Sequence, residues 1–531
     1  MKTFYIKTFG CQMNVYDGQR IESMLRGRGM RETDDVATAD LIILNTCAVR
    51  EKASNKVFSE LGRIRDSKKP AALFGIVGCV AREEGANAFK RIPELNFVLG
   101  PQTYHKLPMI LDNPDARLLN VDLSGLEKFD ELPEMNYAIN ANCSPPRGSQ
   151  RAKRELVGGQ NMRKVPPPET LCVSDSSQGG SRLLPRINPL AYIPIQEGCD
   201  HCCTYCIVPF TRGREISRPF EDVMKDVRHA TGAGLPPEAG RCGGAIEICF
   251  LGQNVNGYKF PSCGGVDCGE AARRGGLSIP QILKDHPGPF GATPPQEGNY
   301  TLADLIRETA KIDSVKRIRF TSSYPTEMSD DLIALFGTEP KLLPFLNMPI
   351  QSGSPSVLRR MNRPYSLDEY VDIVARLRAA RPDIQISSDF IVGFPGETDS
   401  DFERTLDIIR RVRYINSYSF KYSPRPHTAA ATMPDQIPEN IKKRRLKILD
   451  DLLVDINREF NESCVGKTMP CLIEGADKTG KHLIARTPYM QQVIIPKDEK
   501  RKTKDDSFFV SRFSFLVKIT DANKCSLRGE I

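Results

Sequence analysis

The sequence predicts an α/β protein in three parts: an N-terminal α/β domain with a parallel sheet, a central partial (βα)6 barrel, and a small C-terminal β-barrel. Three observations predict it. Short apolar runs alternate with helical segments in two separate regions. A stretch rich in Pro, Gly and Ser divides those regions, and short apolar strands with turn residues close the chain. A length of 531 residues fits several domains of ordinary size.

The first domain covers residues 1–124. Phe4-Tyr5-Ile6, Leu41-Ile42-Ile43-Leu44 and Ala72–Val77 are apolar runs suited to buried parallel strands, with helices expected at Gly18–Gly29 and Glu51–Ser67. Residues 125–188 read as linker plus insertion, since Pro145-Pro146, Pro166-Pro167-Pro168 and Gly179-Gly180 lie among scattered basic residues. The central domain spans 189–462. Its strands are expected at Ala191–Ile195, Ala245–Leu251, Arg317–Phe320, Phe345–Pro349, Gln385–Ile391 and Ser417–Lys421. Helices are expected at Leu302–Ile312, Asp368–Ala380 and Asp399–Val412, and a Gly- and Pro-rich insertion at about 261–299. A charged helix at Ile441–Asn461 carries Leu446, Leu449, Leu453 and Ile456 at helical spacing. Residues 463–531 form the β-barrel.

Hydrophobic content of 40% with 26% charged residues is that of a globular protein. No run reaches the roughly 18 apolar residues of a membrane span, and the N-terminus enters strand-like sequence at once, so a cytoplasmic protein without a membrane partner is expected. Net charge is +8, and the stretch from Cys464 to Ile531 carries 13 Lys+Arg against 8 Asp+Glu. That bias permits a polyanionic partner.

Sixteen cysteines are many for a reducing compartment, so tight spacing points to ligand duty. Cys199, Cys202, Cys203 and Cys206 fall within eight residues, directly after the first barrel strand. One grouping sends Cys202 or Cys203 with Cys206 to zinc, but no second pair follows at zinc spacing. The other is Cys199-x3-Cys203-x2-Cys206, three thiolates able to hold three irons of a [4Fe–4S] cluster and leave the fourth open. Cys202 then has a structural role. This triplet resembles the signature of the radical-SAM superfamily, which implies S-adenosylmethionine bound at the open iron and reductively cleaved to a 5′-deoxyadenosyl radical. Two polar loops at the expected C-terminal rim suit such a cofactor: Gln351-Ser352-Gly353-Ser354 and Gly393-Phe394-Pro395-Gly396-Glu397. Gln351, Ser352, Gly393, Gly396 and Glu397 are the cofactor-binding candidates.

Cys11, Cys47 and Cys79 each follow a first-domain strand, and parallel strands bring such ends to one sheet edge. Spacing alone leaves open whether they meet or are buried separately. With the radical-SAM triplet and a basic C-terminal β-barrel in this order, these contexts resemble the methylthiotransferases, most closely the MiaB-type tRNA enzymes. Gly10-Cys11-Gln12-Met13-Asn14, Leu251–Asn256, Gln351–Ser354 and Met361-Asn362-Arg363 carry the likeness. Tyr324 departs from it, standing where the family usually has His.

The resemblance implies a second [4Fe–4S] cluster on Cys11, Cys47 and Cys79, and a C-terminal TRAM domain that binds RNA. It implies methylthiolation of C2 of N6-isopentenyladenosine at position 37, with the tRNA anticodon stem-loop as partner. A reductant protein supplies electrons, and a monomer is expected. Alternatives are a methylthiotransferase acting on threonylcarbamoyladenosine tRNA or a ribosomal protein, and a non-catalytic, metal-stabilised RNA-binding protein. Cys143, Cys172, Cys242, Cys263 and Cys268 lie in or beside the insertions; Cys263-x4-Cys268 reads more readily as an unligated loop than as a metal site.

Overall fold

The computed structural model describes residues 2–48, 51–123, 127–132, 189–233, 244–260, 300–477, 479–497 and 514–531. Most of the expected linker, the insertion at 261–299, and Cys143, Cys172, Cys242, Cys263 and Cys268 lie outside these residues.

The N-terminal sheet has six strands: β1 (Thr3–Thr8), β2 (Arg31–Glu32), β3 (Leu41–Thr46), β4 (Leu73–Gly78), β5 (Phe97–Leu99) and β6 (Leu118–Asn120). They pair in parallel in the order β2-β1-β3-β4-β5-β6. The inner strands β3 and β4 are covered on both faces, and their residues are mostly apolar. Ile42, Leu44, Phe74 and Ile76 pack on one side with Val57 and Leu61, and Leu41, Ile43, Leu73 and Val77 on the other with Ile21 and Leu25. The order reverses between β1 and β3, the switch point that leaves a crevice at the carboxyl ends of such strands.

Helix α1 runs Gln12–Gly27 and starts well before the expected Gly18, because its first turns bury polar side chains that apolar periodicity does not register. Asn14 and Asp17 are buried there. The second helix, Glu51–Ser67, lies where the sequence places it.

The central strands Leu190–Pro194, Glu247–Leu251 and Arg317–Phe320 form one parallel sheet. The arc continues through a parallel bridge of Ile318 to Leu342, then Phe345–Asn347 on Gln385–Ser387, then Asp389–Val392 on Tyr418–Lys421. The expected strand Gln385–Ile391 is therefore two. At the break, Ser388 Oγ accepts from Ile350 N (2.9 Å) and Ser388 N donates to Ser417 Oγ (3.0 Å), so side chains replace the ladder. The helices Leu302–Ala310, Leu367–Ala380 and Asp399–Val412 surround one continuous core, joined by Leu449, Leu453 and Ile456 of the helix Glu439–Glu462. Each such fully buried side chain contributes about 1.5–3 kcal/mol.

Five strands, Thr468–Ala476, His482–Arg486, Gln492–Pro496, Ser514–Ala522 and Ser526–Glu530, close into a barrel around Cys471, Val493, Val517, Ile519 and Leu527. No described helix is long and apolar enough to cross a membrane.

Candidate metal centres and cofactor site

The register of the N-terminal sheet decides where its cysteines go. Thr8 lies opposite Asn45 and Thr46 opposite Gly78, so the chain leaves β1, β3 and β4 at one level. Cys11, Cys47 and Cys79 follow those exits beside the switch point. A Cβ at Gly10 (φ +130°) would lie 2.3 Å from Cys47 Cβ, so glycine is required for the close approach of these loops. Cys11 Sγ donates to Asn14 Oδ1 (3.3 Å), and Asn14 Nδ2 donates to Asn45 Oδ1 (3.2 Å) and Thr46 O (3.0 Å). A hydrogen bond with Cys47, helped by the charge of Arg212, draws the Cys11 thiol down to about 6 against the effect of burial. Burial pushes the Cys79 thiol up, although Arg212 bonds to it and pulls the other way.

The second triplet lies on the loop between the short strand Gln196–Glu197 and the helical turn Val208–Arg212. Gly198 (φ +77°) admits no other residue, since a Cβ there would stand 1.8 Å from Arg214 O. Cys206 N donates to Cys203 O (3.0 Å), Thr204 N to Met361 O (3.1 Å) and Thr204 Oγ1 to Arg360 O (2.8 Å), which fixes the loop to the far side of the barrel mouth. Burial, then Cys206 and Cys203, raise the Cys199 thiol well above its ordinary value, and burial with Cys203 pushes Cys206 up to about 12. Two buried thiols held up by their cysteine neighbours, Cys199 and Cys206, fit a cationic inorganic core, which deprotonates coordinating thiols and neutralises their charge. Cys202 Sγ lies 3.6 Å from Asp200 O.

A buried ion cluster spans the two triplets. Arg212 bonds Asp17 of α1 (2.8 Å) and approaches Glu197 (3.4 Å), the residue two before Cys199. Lys128, fully buried on the short helix Glu127–Glu131, bonds Glu197 and lies 3.7 Å from Asp17. Arg212 thus touches Cys79 while sitting six positions after Cys206 in the chain.

The two rim loops are neighbours, because Gln351 bridges Phe390 in parallel just before Gly393. Gln351 adopts φ +73°, and Ser352 Oγ accepts from Ser354 N (3.2 Å) and meets Thr405 Oγ1 (3.3 Å). The room left by the glycines has protein occupants: a Cβ at Gly393 would meet Lys442, and one at Gly396 would meet the Arg360 guanidinium. The Glu397 carboxylate serves its own turn, accepting from Gly393 N, Phe394 N (3.1 Å) and Arg445 (3.2 Å). Burial pushes it up to about 7, with Arg445 and those amides opposing.

Among the described residues, other polar atoms at the mouth have no hydrogen-bond partner: Asn254 Oδ1, Ser323 Oγ, Glu327 Oε2 and Arg363 Nε. Buried unsatisfied groups cost about 1–3 kcal/mol each, and they suit a pocket completed by a polar cofactor. His201 stacks on Tyr324 (centroids 3.6 Å apart, 9° between planes) and contacts Glu327 at 2.9 Å. The Arg363 guanidinium stands 4.7 Å from the Tyr324 ring. Asn254 and Arg363 lie within sequence words already singled out; Glu327 has no sequence signal.

Residues 3–100 match the uncharacterized protein family UPF0004, and residues 291–409 match the radical SAM superfamily. The chain is 40% identical over 540 residues to the protein of Rickettsia conorii named tRNA-2-methylthio-N(6)-dimethylallyladenosine synthase, covering 100% of this chain and 99% of that one. The protein of the same name from Rickettsia bellii is 41% identical over 540 residues, with the same coverage.

Proposed function

We propose, because this chain belongs to the family of tRNA-2-methylthio-N(6)-dimethylallyladenosine synthases, that it replaces the C2 hydrogen of N6-isopentenyladenosine 37 in tRNA with a methylthio group. Radical-SAM membership brings S-adenosylmethionine and an iron–sulfur cluster as cofactors. The observation that carries the finer reading is the pair of cysteine triplets spanned by the cluster of Asp17, Lys128, Glu197 and Arg212.

Cys199, Cys203 and Cys206 are assigned to the [4Fe–4S] cluster that serves S-adenosylmethionine, and Cys11, Cys47 and Cys79 to a second. When bound, the first cluster supplies the electron that breaks a sulfonium carbon–sulfur bond, generating a radical able to take hydrogen from an unactivated aromatic carbon. The protein's part is position and shelter. Thr204 pins the cysteine loop to Arg360 and Met361, while Gly393, Gly396 and Glu397 shape the rim through Lys442, Arg360 and Arg445. Gln351 and Ser352 form the adjoining wall. Arg212 and Lys128 hold the loops of Cys11, Cys47 and Cys79 at a fixed offset from those of Cys199, Cys203 and Cys206.

The C-terminal barrel, read as a TRAM domain, supplies basic charge for the anticodon stem-loop. A reductant protein delivers the electrons.

The test is Cys203→Ala in the full-length, reconstituted chain. It should form no 5′-deoxyadenosine and leave isopentenyladenosine unmodified in tRNA, read by nucleoside mass spectrometry. Continued 5′-deoxyadenosine formation overturns the ligand assignment. A methylthio mark appearing instead on threonylcarbamoyladenosine or on a ribosomal protein overturns the substrate.

A further inference from the structure

We propose that His105, Glu127 and Glu131 form a binding site for one divalent first-row transition-metal cation, separate from both cysteine triplets. His105 lies on the short 3-10 turn Tyr104–Lys106, packed under the short helix Glu127–Glu131. Its side chain is 1% exposed, and neither ring nitrogen completes a hydrogen bond. Nε2 faces Glu131 Oε2 at 3.5 Å, too far for a good bond. Glu127 stands one helical turn before Glu131, so the two carboxylates share a face.

One ligand atom from each residue lies within 4.8 Å of the other two. Donors bound at about 2.0–2.2 Å to a common ion are separated by up to about 4.4 Å, so modest side-chain rotation closes the set. One imidazole and two carboxylates suit Mn2+, Fe2+, Co2+ or Zn2+.

The ordinary alternative is a buried histidine serving the core. That role leaves the ring with only the long approach to Glu131 and the nearby Gln102 carbonyl, neither a completed hydrogen bond among the described residues, and an incompletely satisfied buried group costs about 1–3 kcal/mol. An ion pair with Glu131 requires the charged ring. Burial of a side chain 1% exposed disfavours that charge. A neutral imidazole is the form that ligates metal. Two carboxylates and a neutral ring carry the charge that a divalent ion cancels.

The helix carrying the carboxylates also carries Lys128, which reaches Glu197 and Asp17. A bound cation therefore fastens this helix from the His105 side while the ion cluster holds it at Lys128.

The test uses full-length, cluster-reconstituted protein under anaerobic conditions, with Mn2+ as probe. Oxidised [4Fe–4S] clusters are diamagnetic, so the six-line room-temperature EPR signal of free Mn2+ reports binding alone. Wild-type protein should remove one equivalent of signal. Glu127→Gln, Glu131→Gln and His105→Gln should each weaken binding by at least about tenfold, with iron content unchanged in the two glutamate variants. Those variants change exposed residues, so they decide the matter even where His105→Gln misfolds. Absence of Mn2+ uptake at millimolar concentration, or equal affinity in wild type and both glutamate variants, overturns the site.

Discussion

Lys128→Met removes one cation from a closed set of four charges while keeping most of the apolar stem that packs near Tyr104 and Phe129. Asp17, Lys128, Glu197 and Arg212 have side chains no more than 3% exposed, and together they are neutral. The variant leaves one buried negative charge uncompensated. Breaking a buried pair by deleting one partner costs about 3–5 kcal/mol. Coulomb's law gives a similar scale: the 3.7 Å separation from Asp17 alone corresponds to about 4 kcal/mol at an effective dielectric of about 20. Lys128→Met is therefore expected to lower the stability of the transition that includes the N-terminal sheet by about 3–5 kcal/mol. Adding Glu197→Gln restores neutrality and should recover about 1–3 kcal/mol of that loss, a coupling visible in a double-mutant cycle. The chain has no tryptophan, so urea unfolding is best followed by far-UV circular dichroism, fitting that transition separately from the others. A loss below about 1 kcal/mol for Lys128→Met, or strict additivity in the double variant, would refute the reasoning.

Gly198→Ala forces a Cβ to 1.8 Å from Arg214 O, so iron and sulfide analysis should find about four fewer irons per chain than the roughly eight of two clusters. Undiminished iron with normal 5′-deoxyadenosine yield would count against the assigned ligand loop. Arg317→Met strips donors from the carbonyls of Pro470, Arg486 and Thr487, and one partner from buried Glu247. It should loosen the C-terminal barrel by about 3–5 kcal/mol and weaken tRNA binding more than cleavage of S-adenosylmethionine, as read by gel shift and product assay. Asp40 accepts from Lys69 (2.8 Å) and from Lys2 N (2.8 Å), and these bonds hold its carboxyl well below the usual carboxylate range. With the folded pKa lowered, its stabilisation is present above the unfolded value of about 3.9 and is lost as pH falls through the folded one. Asp40→Asn should melt lower at neutral pH and show a flatter decline below about pH 4 in thermal scans. Parallel melting curves for both proteins at every pH would contradict this.

The tight triplet of Cys199, Cys203 and Cys206 was legible because its members are neighbours in the chain, and the inner parallel strands because their residues are apolar on both faces. Register was not legible. Nothing in the residues around Cys11, Cys47 and Cys79 states that Thr8 pairs with Asn45 and Thr46 with Gly78, and that pairing brings the three loops to one edge. The rim loops show a further limit. Gly393 and Gly396 read as room for close approach, and the sequence does not say that a Cβ there would meet Lys442 and Arg360 from elsewhere in the chain. Glu397 stands out in the sequence only as part of a rim loop, and its carboxylate accepts from Gly393 N and Phe394 N within its own turn. Sequence reports which backbone is permissive, and only packing reports what fills the space. The start of α1 was hidden for a related reason, since Asn14 and Asp17 are buried through polar contacts rather than apolar ones.

The reach of Arg212 into the N-terminal sheet also sets an order of events during synthesis. Cys79 leaves the ribosome roughly 130 residues ahead of Arg212. At about 5–20 residues per second, the gap lasts on the order of ten seconds. Throughout that interval the first three cysteines are available without the cation that later neighbours them. Translation speed between residues 79 and 212 therefore sets how long the nascent N-terminal thiols face oxidants and competing metals before the rest of their site arrives.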